Sequence, residues 1–101
     1  MWNIYGEYTM KFEFRPGKFY IEENNETVAE IIYTVGYNLI SINHTFVSPN
    51  YRNQGLAGKL MLQVINYAQE KQFLINPVCS FAKNFFKKNP QYDYLLQNNF
   101  N

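Results

Sequence analysis

Residues 52–58 read Arg52-Asn53-Gln54-Gly55-Leu56-Ala57-Gly58, a cation followed by small residues directly ahead of a helical pattern. A turn into a helix exposes unpaired backbone N–H groups and the positive end of the helix dipole, so its chemistry is the capture of phosphate. Gly55, Ala57 and Gly58 leave room for the anion, and Arg52 can either hold it or brace the loop. Two further residues could do chemistry: Cys79, the one cysteine, as a nucleophile, and His44, the one histidine, as a proton carrier. Each also has a plainer reading, a small buried hydrophobe for Cys79 and a hydrogen-bonded core residue for His44. One His and one Cys cannot build a tetrahedral metal site, so no metal is expected.

Other phosphate motifs fit less well. A Walker A loop needs Gly five residues before its Gly-Lys pair and Ser or Thr after it, whereas Asn53 and Leu60 stand there. A dinucleotide fingerprint needs three spaced glycines, and Gly55-x-x-Gly58 supplies only part of it.

The turn must be set between a strand and a helix. Residues 39–47 alternate, with Ile40, Ile42, His44 and Phe46 on one face and Leu39, Ser41, Asn43, Thr45 and Val47 on the other, which places His44 among apolar neighbours. Beyond Ser48-Pro49-Asn50, Ala57, Leu60, Met61, Val64, Ile65 and Ala68 repeat at helical spacing. The apolar run 73–78, after this crossover helix, reads as a strand parallel to 39–47. Upstream, Tyr8, Met10, Phe12 and Phe14 alternate with Thr9, Lys11, Glu13 and Arg15, predicting a half-buried strand. Pro16-Gly17 turns it back through Phe19, Tyr20 and Ile21, and Asn24-Asn25 centres a second turn before a β-branched strand over 27–35. Downstream, Ser80 reads as the N-cap of a helix through Lys88, and Asn89-Pro90 opens a last turn through Leu96 with a frayed tail. Phe81, Phe85, Tyr92 and Tyr94 read as core by default.

With 101 residues, 47% of them hydrophobic and 19% aromatic, the chain is expected to be one domain with a compact core. A net charge of +1 gives no field to draw nucleic acid or an anionic membrane, so any anion site is local. One cysteine excludes an internal disulfide, and the absence of a long apolar stretch points to a cytoplasmic setting. Lys83, Lys87 and Lys88 read as a solvated helix face. The edge strand allows a monomer or a weak homodimer.

The stretch from Arg52 to Ala57 matches the Arg/Gln-x-x-Gly-x-Gly/Ala signature of the GNAT superfamily of N-acetyltransferases. It follows Val47-Ser48-Pro49-Asn50-Tyr51, which resembles that family's strand end, and it opens the long helix. Pro77-Val78-Cys79-Ser80-Phe81 and Asn89-Pro90-Gln91-Tyr92 resemble a subgroup of very short members, and the likeness covers roughly residues 19–96. It implies a minimal α+β fold: a meander of about four antiparallel strands, a βαβ unit whose parallel strand is splayed, and short C-terminal helices. It also implies acetyl-coenzyme A as cofactor and an amine of unidentified kind as acceptor; no nucleic acid or membrane partner is expected, on the charge balance above.

Carried onto this chain, the resemblance sets Phe46 and Val47 beside pantetheine and the amides of Asn53, Gln54, Gly55, Leu56, Ala57 and Gly58 against the pyrophosphate. It adds Phe85 to the cofactor set, gives the 3′-phosphate to one of the three lysines, and points the thioester toward His44 and Cys79. The departures are as telling. Cys79, Ala82 and Phe86 stand where the family has Asn, Ala and the Tyr that protonates the departing thiolate, and the hairpin of residues 8–21 replaces N-terminal helices that wall the acceptor pocket. The expected function is an N-acetyltransferase working directly or through Cys79, with a non-catalytic acyl-coenzyme A-binding module as the alternative. A small interaction domain that has lost the ligand stands third.

Overall fold

The computed structural model describes residues 10–97. Five strands form one sheet in the order of the chain: β1 (Lys11–Arg15), β2 (Lys18–Glu23), β3 (Glu26–Gly36), β4 (Leu39–Val47) and β5 (Leu74–Pro77). The first four pair antiparallel, and β5 joins β4 in parallel after the crossover helix α1 (Leu56–Lys71). Helix α2 (Ser80–Lys88) and a 3-10 segment (Pro90–Leu95) complete the chain. This is the mixed architecture that the resemblance implies.

Turn chemistry sets the meander. Gly17, at φ +87°, closes the two-residue turn after Pro16 that pairs Arg15 with Lys18. Asn24 and Asn25, at φ +54° and +65°, close the next, as read from the sequence. Tyr37 and Asn38 close the third at φ +53° and +62°, a left-handed conformation that suits asparagine far better than tyrosine.

The helix α1 buries Leu56, Leu60, Met61, Val64, Ile65 and Ala68 against β2, β3 and β4. Leu56 thus takes the first place in the stripe expected for Ala57, which is half-buried, because the helix starts one residue earlier. The facing sheet residues are Phe19, Ile21, Ile31, Tyr33, Ile40, Ile42 and Ile75, each buried. Full burial of each aliphatic side chain stabilises the fold by roughly 1.5–3 kcal/mol.

Several expectations are corrected. β1 is exposed along its length rather than half-buried, with Phe12 at 41% and Phe14 at 49%, because α1 packs mainly on β2 to β4 and meets β1 through Tyr67, 5.6 Å from Phe14. Tyr8 and Thr9, its expected start, lie outside the described residues. The parallel strand runs only over Leu74–Pro77, since Phe73 turns in to meet Tyr67 edge-on at 6.1 Å. The N-cap of α2 is Cys79, not Ser80: the Cys79 carbonyl already accepts the first intrahelical bond from Lys83 N–H. Gln97, the first residue of the tail expected to fray, is held, its N–H donating to Ile75 O at 3.1 Å next to the bridge from Leu96 to Ile75; the rest of that tail lies outside the described residues. Phe81, Phe85 and Tyr92 are half-buried, but Tyr94 is 54% exposed and meets Gln69 of α1.

Candidate functional site

The site is built where β4 and β5 part. Their pairing begins at Leu39 with Leu74 and ends at Ile42 with Pro77, although β4 runs on to Val47. At that point the N–H groups of Val78 and Cys79 both donate to Ile42 O at 3.0 Å, and the chain then turns into α2. Residues 43–47 are left with an outer edge that no described strand pairs. An unpaired edge offers N–H and C=O groups to anything that can lie along it.

A β-bulge decides which side chains reach the gap. Tyr33 lies opposite Ile42 but Ile32 lies opposite His44, so Asn43 is an extra residue on β4. The alternation therefore slips by one. Thr45 and Val47 take the side of the buried Ile42, while Asn43, His44 and Phe46 stand exposed on the other face. Asn43 Nδ2 donates there to Thr34 Oγ1 at 3.2 Å. His44 is thus not among apolar neighbours, which corrects the sequence reading: an unbroken alternation hides an inserted residue.

The same slip brings in a residue that sequence reasoning put on the wrong face. Thr45 Oγ1 lies 3.4 Å from Cys79 Sγ, spanning the gap at its mouth. Cys79 is half-buried with a free thiol. Thr45 and Cys79 are brought together; His44 and Cys79 are on opposite sides of β4.

From Val47 the chain passes through Pro49–Tyr51, a 3-10 turn, to the start of α1. Two residues bend it with positive φ, Asn53 at +64° and Gly55 at +75°, the latter being the N-cap. No side chain caps this end and no acidic residue lies in the first turn, so among the described residues the first amides of the helix have no side-chain partner. A Cβ built on Gly58 meets nothing within 4 Å. The space beside Gly58 is therefore not used by the protein's own packing. Arg52, Asn53, Gln54 and Gly55 are exposed, and Arg52 Nε donates to Val47 O at 3.1 Å. Arg52 so braces the turn against the strand. On the other side of the loop, a hydrogen bond to Glu23 holds the Tyr51 phenol above its ordinary pKa.

The remaining expected positions are less central. Phe85 is half-buried in an aromatic row, stacked on Tyr92 at 6.3 Å and edge-on to Phe86 at 5.4 Å. Phe86 is itself buried at 3% exposure, so the position that lacks a tyrosine hydroxyl is a core position here. Lys83, Lys87 and Lys88 are exposed, and Lys83 borders a shallow cavity of about 300 Å³ with Asn76, Pro77, Leu96 and Gln97. Among the described residues no cluster could hold a metal ion.

A meander whose last strand parts from a parallel neighbour, above an uncapped helix N-terminus, defines a class of mixed α+β folds with one crossover helix. The chain belongs to the GCN5-related N-acetyl-transferase family, whose model matches residues 18–95. A curated relative, Protein NATD1 of Bos taurus, is 30% identical over 61 residues, which are 60% of this chain and 54% of that protein. The match therefore spans about half of that relative's length. The solution structure of a GCN5-like protein from Staphylococcus aureus is similar at 35% identity, with a TM-score of 0.74 over 88% of this chain and 89% of that one. The PaiA N-acetyltransferase of Thermoplasma acidophilum, solved with coenzyme A, shares the fold at 16% identity, with a TM-score of 0.61 over 71% of this chain and 48% of that one.

Proposed function

We propose that this chain binds acetyl-coenzyme A and transfers its acetyl group to an amine. The observation that carries the reading is the open edge of β4 at residues 43–47, running straight into an uncapped helix N-terminus with no acidic residue. A ligand that fits both must carry an amide-bearing chain for the edge and a phosphate for the amides, as coenzyme A does. Family membership and a coenzyme A complex of a relative with the same fold support it.

Phe46 and Val47 flank the pantetheine arm, the amides of residues 53–58 meet the pyrophosphate, and Arg52 secures the turn while its remaining guanidinium nitrogens face the anion. Cys79 Sγ, at the mouth of the gap beside Thr45, attacks the acetyl carbonyl. The bond from the carbonyl carbon to the coenzyme A sulfur breaks, and the departing thiolate takes up the proton that the Cys79 thiol gave up on attack. An amine then displaces acetyl from Cys79, giving the amide and restoring the thiol. Should the amine instead attack directly from the exposed face, His44 is the base within the strand. The two routes use opposite faces of β4.

Incubation with acetyl-coenzyme A followed by peptide mass analysis tests the first route, which predicts an acetyl adduct on Cys79 that is lost on adding amines. A saturable rise in melting temperature with no thiol release for any amine would instead establish a non-catalytic coenzyme A module, favoured by the buried Phe86.

A further inference from the structure

We propose that the exposed edge strand β1 is a homotypic interface, pairing antiparallel with β1 of a second copy about a two-fold axis at Phe12. The inference does not rest on the acetyl-transfer reading.

The two edges of the sheet differ. At β5, Leu96 and Gln97 occupy the backbone at Ile75. At β1, strand Lys11–Arg15 pairs with β2 on one side and with no described segment on the other. It has no internal proline and no bulge, the devices that keep such edges from pairing. Phe12 and Phe14 remain 41% and 49% exposed although they lie on the face that carries the core, with Met10 half-buried ahead of them. Phe14 meets Phe19 at 4.9 Å and Tyr67 at 5.6 Å, two of the residues that line a groove of about 360 Å³ with Leu62 and Glu70.

Charge chooses the partner and the register. Arg15 is engaged with Tyr20, through a hydrogen bond of 3.2 Å to its hydroxyl, and Lys18 pairs with Glu30 at 3.4 Å. Lys11 and Glu13 make no ion pair among the described residues. A two-fold centred on Glu13 would oppose Lys11 to Arg15 and Glu13 to itself, which is repulsive on every charged pair. Centred on Phe12, the same strand sets Lys11 against Glu13 twice on one face, and Phe12 against Phe12 and Met10 against Phe14 on the other. Directly opposed residues of opposite charge, and apolar pairs, are the units that stabilise an antiparallel ladder. The sequence of β1 is thus complementary to itself.

The contact is small, so association is expected to be weak, with a dissociation constant on the order of 100 µM. Sedimentation of the full chain from about 10 µM to about 1 mM should show the mean mass rising toward twice the monomer. Glu13→Lys and Lys11→Glu, each checked for an unchanged fold by its amide spectrum, should each weaken self-association at least about tenfold. An equimolar mixture of the two variants should regain it, because each then meets its opposite. Independently, the wild-type amide shifts that depend on concentration should centre on residues 10–14. A monomer at every concentration, variants that associate like the wild type, a mixture that fails to associate, or shifts centred elsewhere would each overturn the proposal.

Discussion

The hydroxyl of Thr45 lies 3.4 Å from the sulfur of Cys79, joining β4 to the first residue of the α2 cap across the point where the sheet opens. Because a single bulge at Asn43 produces this pairing, the geometry of the gap depends on one inserted residue. Thr45→Val keeps the side-chain shape and removes the hydrogen-bonding group. A bond to a sulfur that becomes charged is worth about 1.5–3 kcal/mol, so acetyl-Cys79 formation should slow by at least about tenfold. Thr45→Ser should restore it. Intact-mass time courses measure both.

Cys79→Ser and His44→Gln separate the two routes. Since the two side chains stand on opposite sides of β4, transfer through Cys79 should be nearly abolished by the first change and altered less than about threefold by the second. Thiol release with a reactive amine reads the difference. The reverse order would mean direct attack from the exposed face.

Gly58 tests whether the start of α1 is shaped for a ligand. An added Cβ would meet no protein atom within 4 Å, so Gly58→Ala should raise the unfolding free energy by about 0.5–1 kcal/mol through helix propensity alone. The same methyl group would stand among the amides proposed to receive the phosphate, and coenzyme A affinity should fall. Denaturant unfolding and calorimetric titration together would show stability gained and binding lost. Unchanged affinity would place the pyrophosphate elsewhere.

Arg52→Lys keeps the charge but lacks the planar fork that lets one nitrogen bond Val47 O while others face solvent. Affinity for coenzyme A should drop about tenfold, the cost of one charge-assisted hydrogen bond, with a change in melting temperature too small to explain it.

Tyr33 carries a pH signature. Burial under α1 raises its phenol above the ordinary value of 10.0. The unfolded chain therefore loses this proton first, and the stabilisation from the neutral phenol, complete below about pH 10, is lost as the pH climbs toward the folded pKa. Tyr33→Phe should flatten the fall in melting temperature above pH 10. An equally steep fall would show that other tyrosines govern alkaline unfolding.

How much of this could be read from the chain alone follows from the range of each interaction. The turns at Pro16-Gly17 and Asn24-Asn25, the stripe from Leu60 to Ala68 and the helix start at Gly55 are local, since φ preferences and helical spacing act over a few residues. The strand Leu39–Val47 was legible to its ends for the same reason. The signature at Arg52, Gly55 and Ala57 was enough to name the family.

Tertiary structure alone decided which faces those residues present. The unbroken alternation of Ile40, Ile42, His44 and Phe46 conceals the bulge, because an inserted residue is defined only by its partner strand: Ile32 and Tyr33 must oppose His44 and Ile42 at once. Exposure of β1 likewise depends on how far α1 reaches across the sheet, which no residue of β1 encodes. Local chemistry wrote the turn at Asn53 and Gly55 that opens α1; pairing across the sheet turned His44 to solvent and set Thr45 against Cys79.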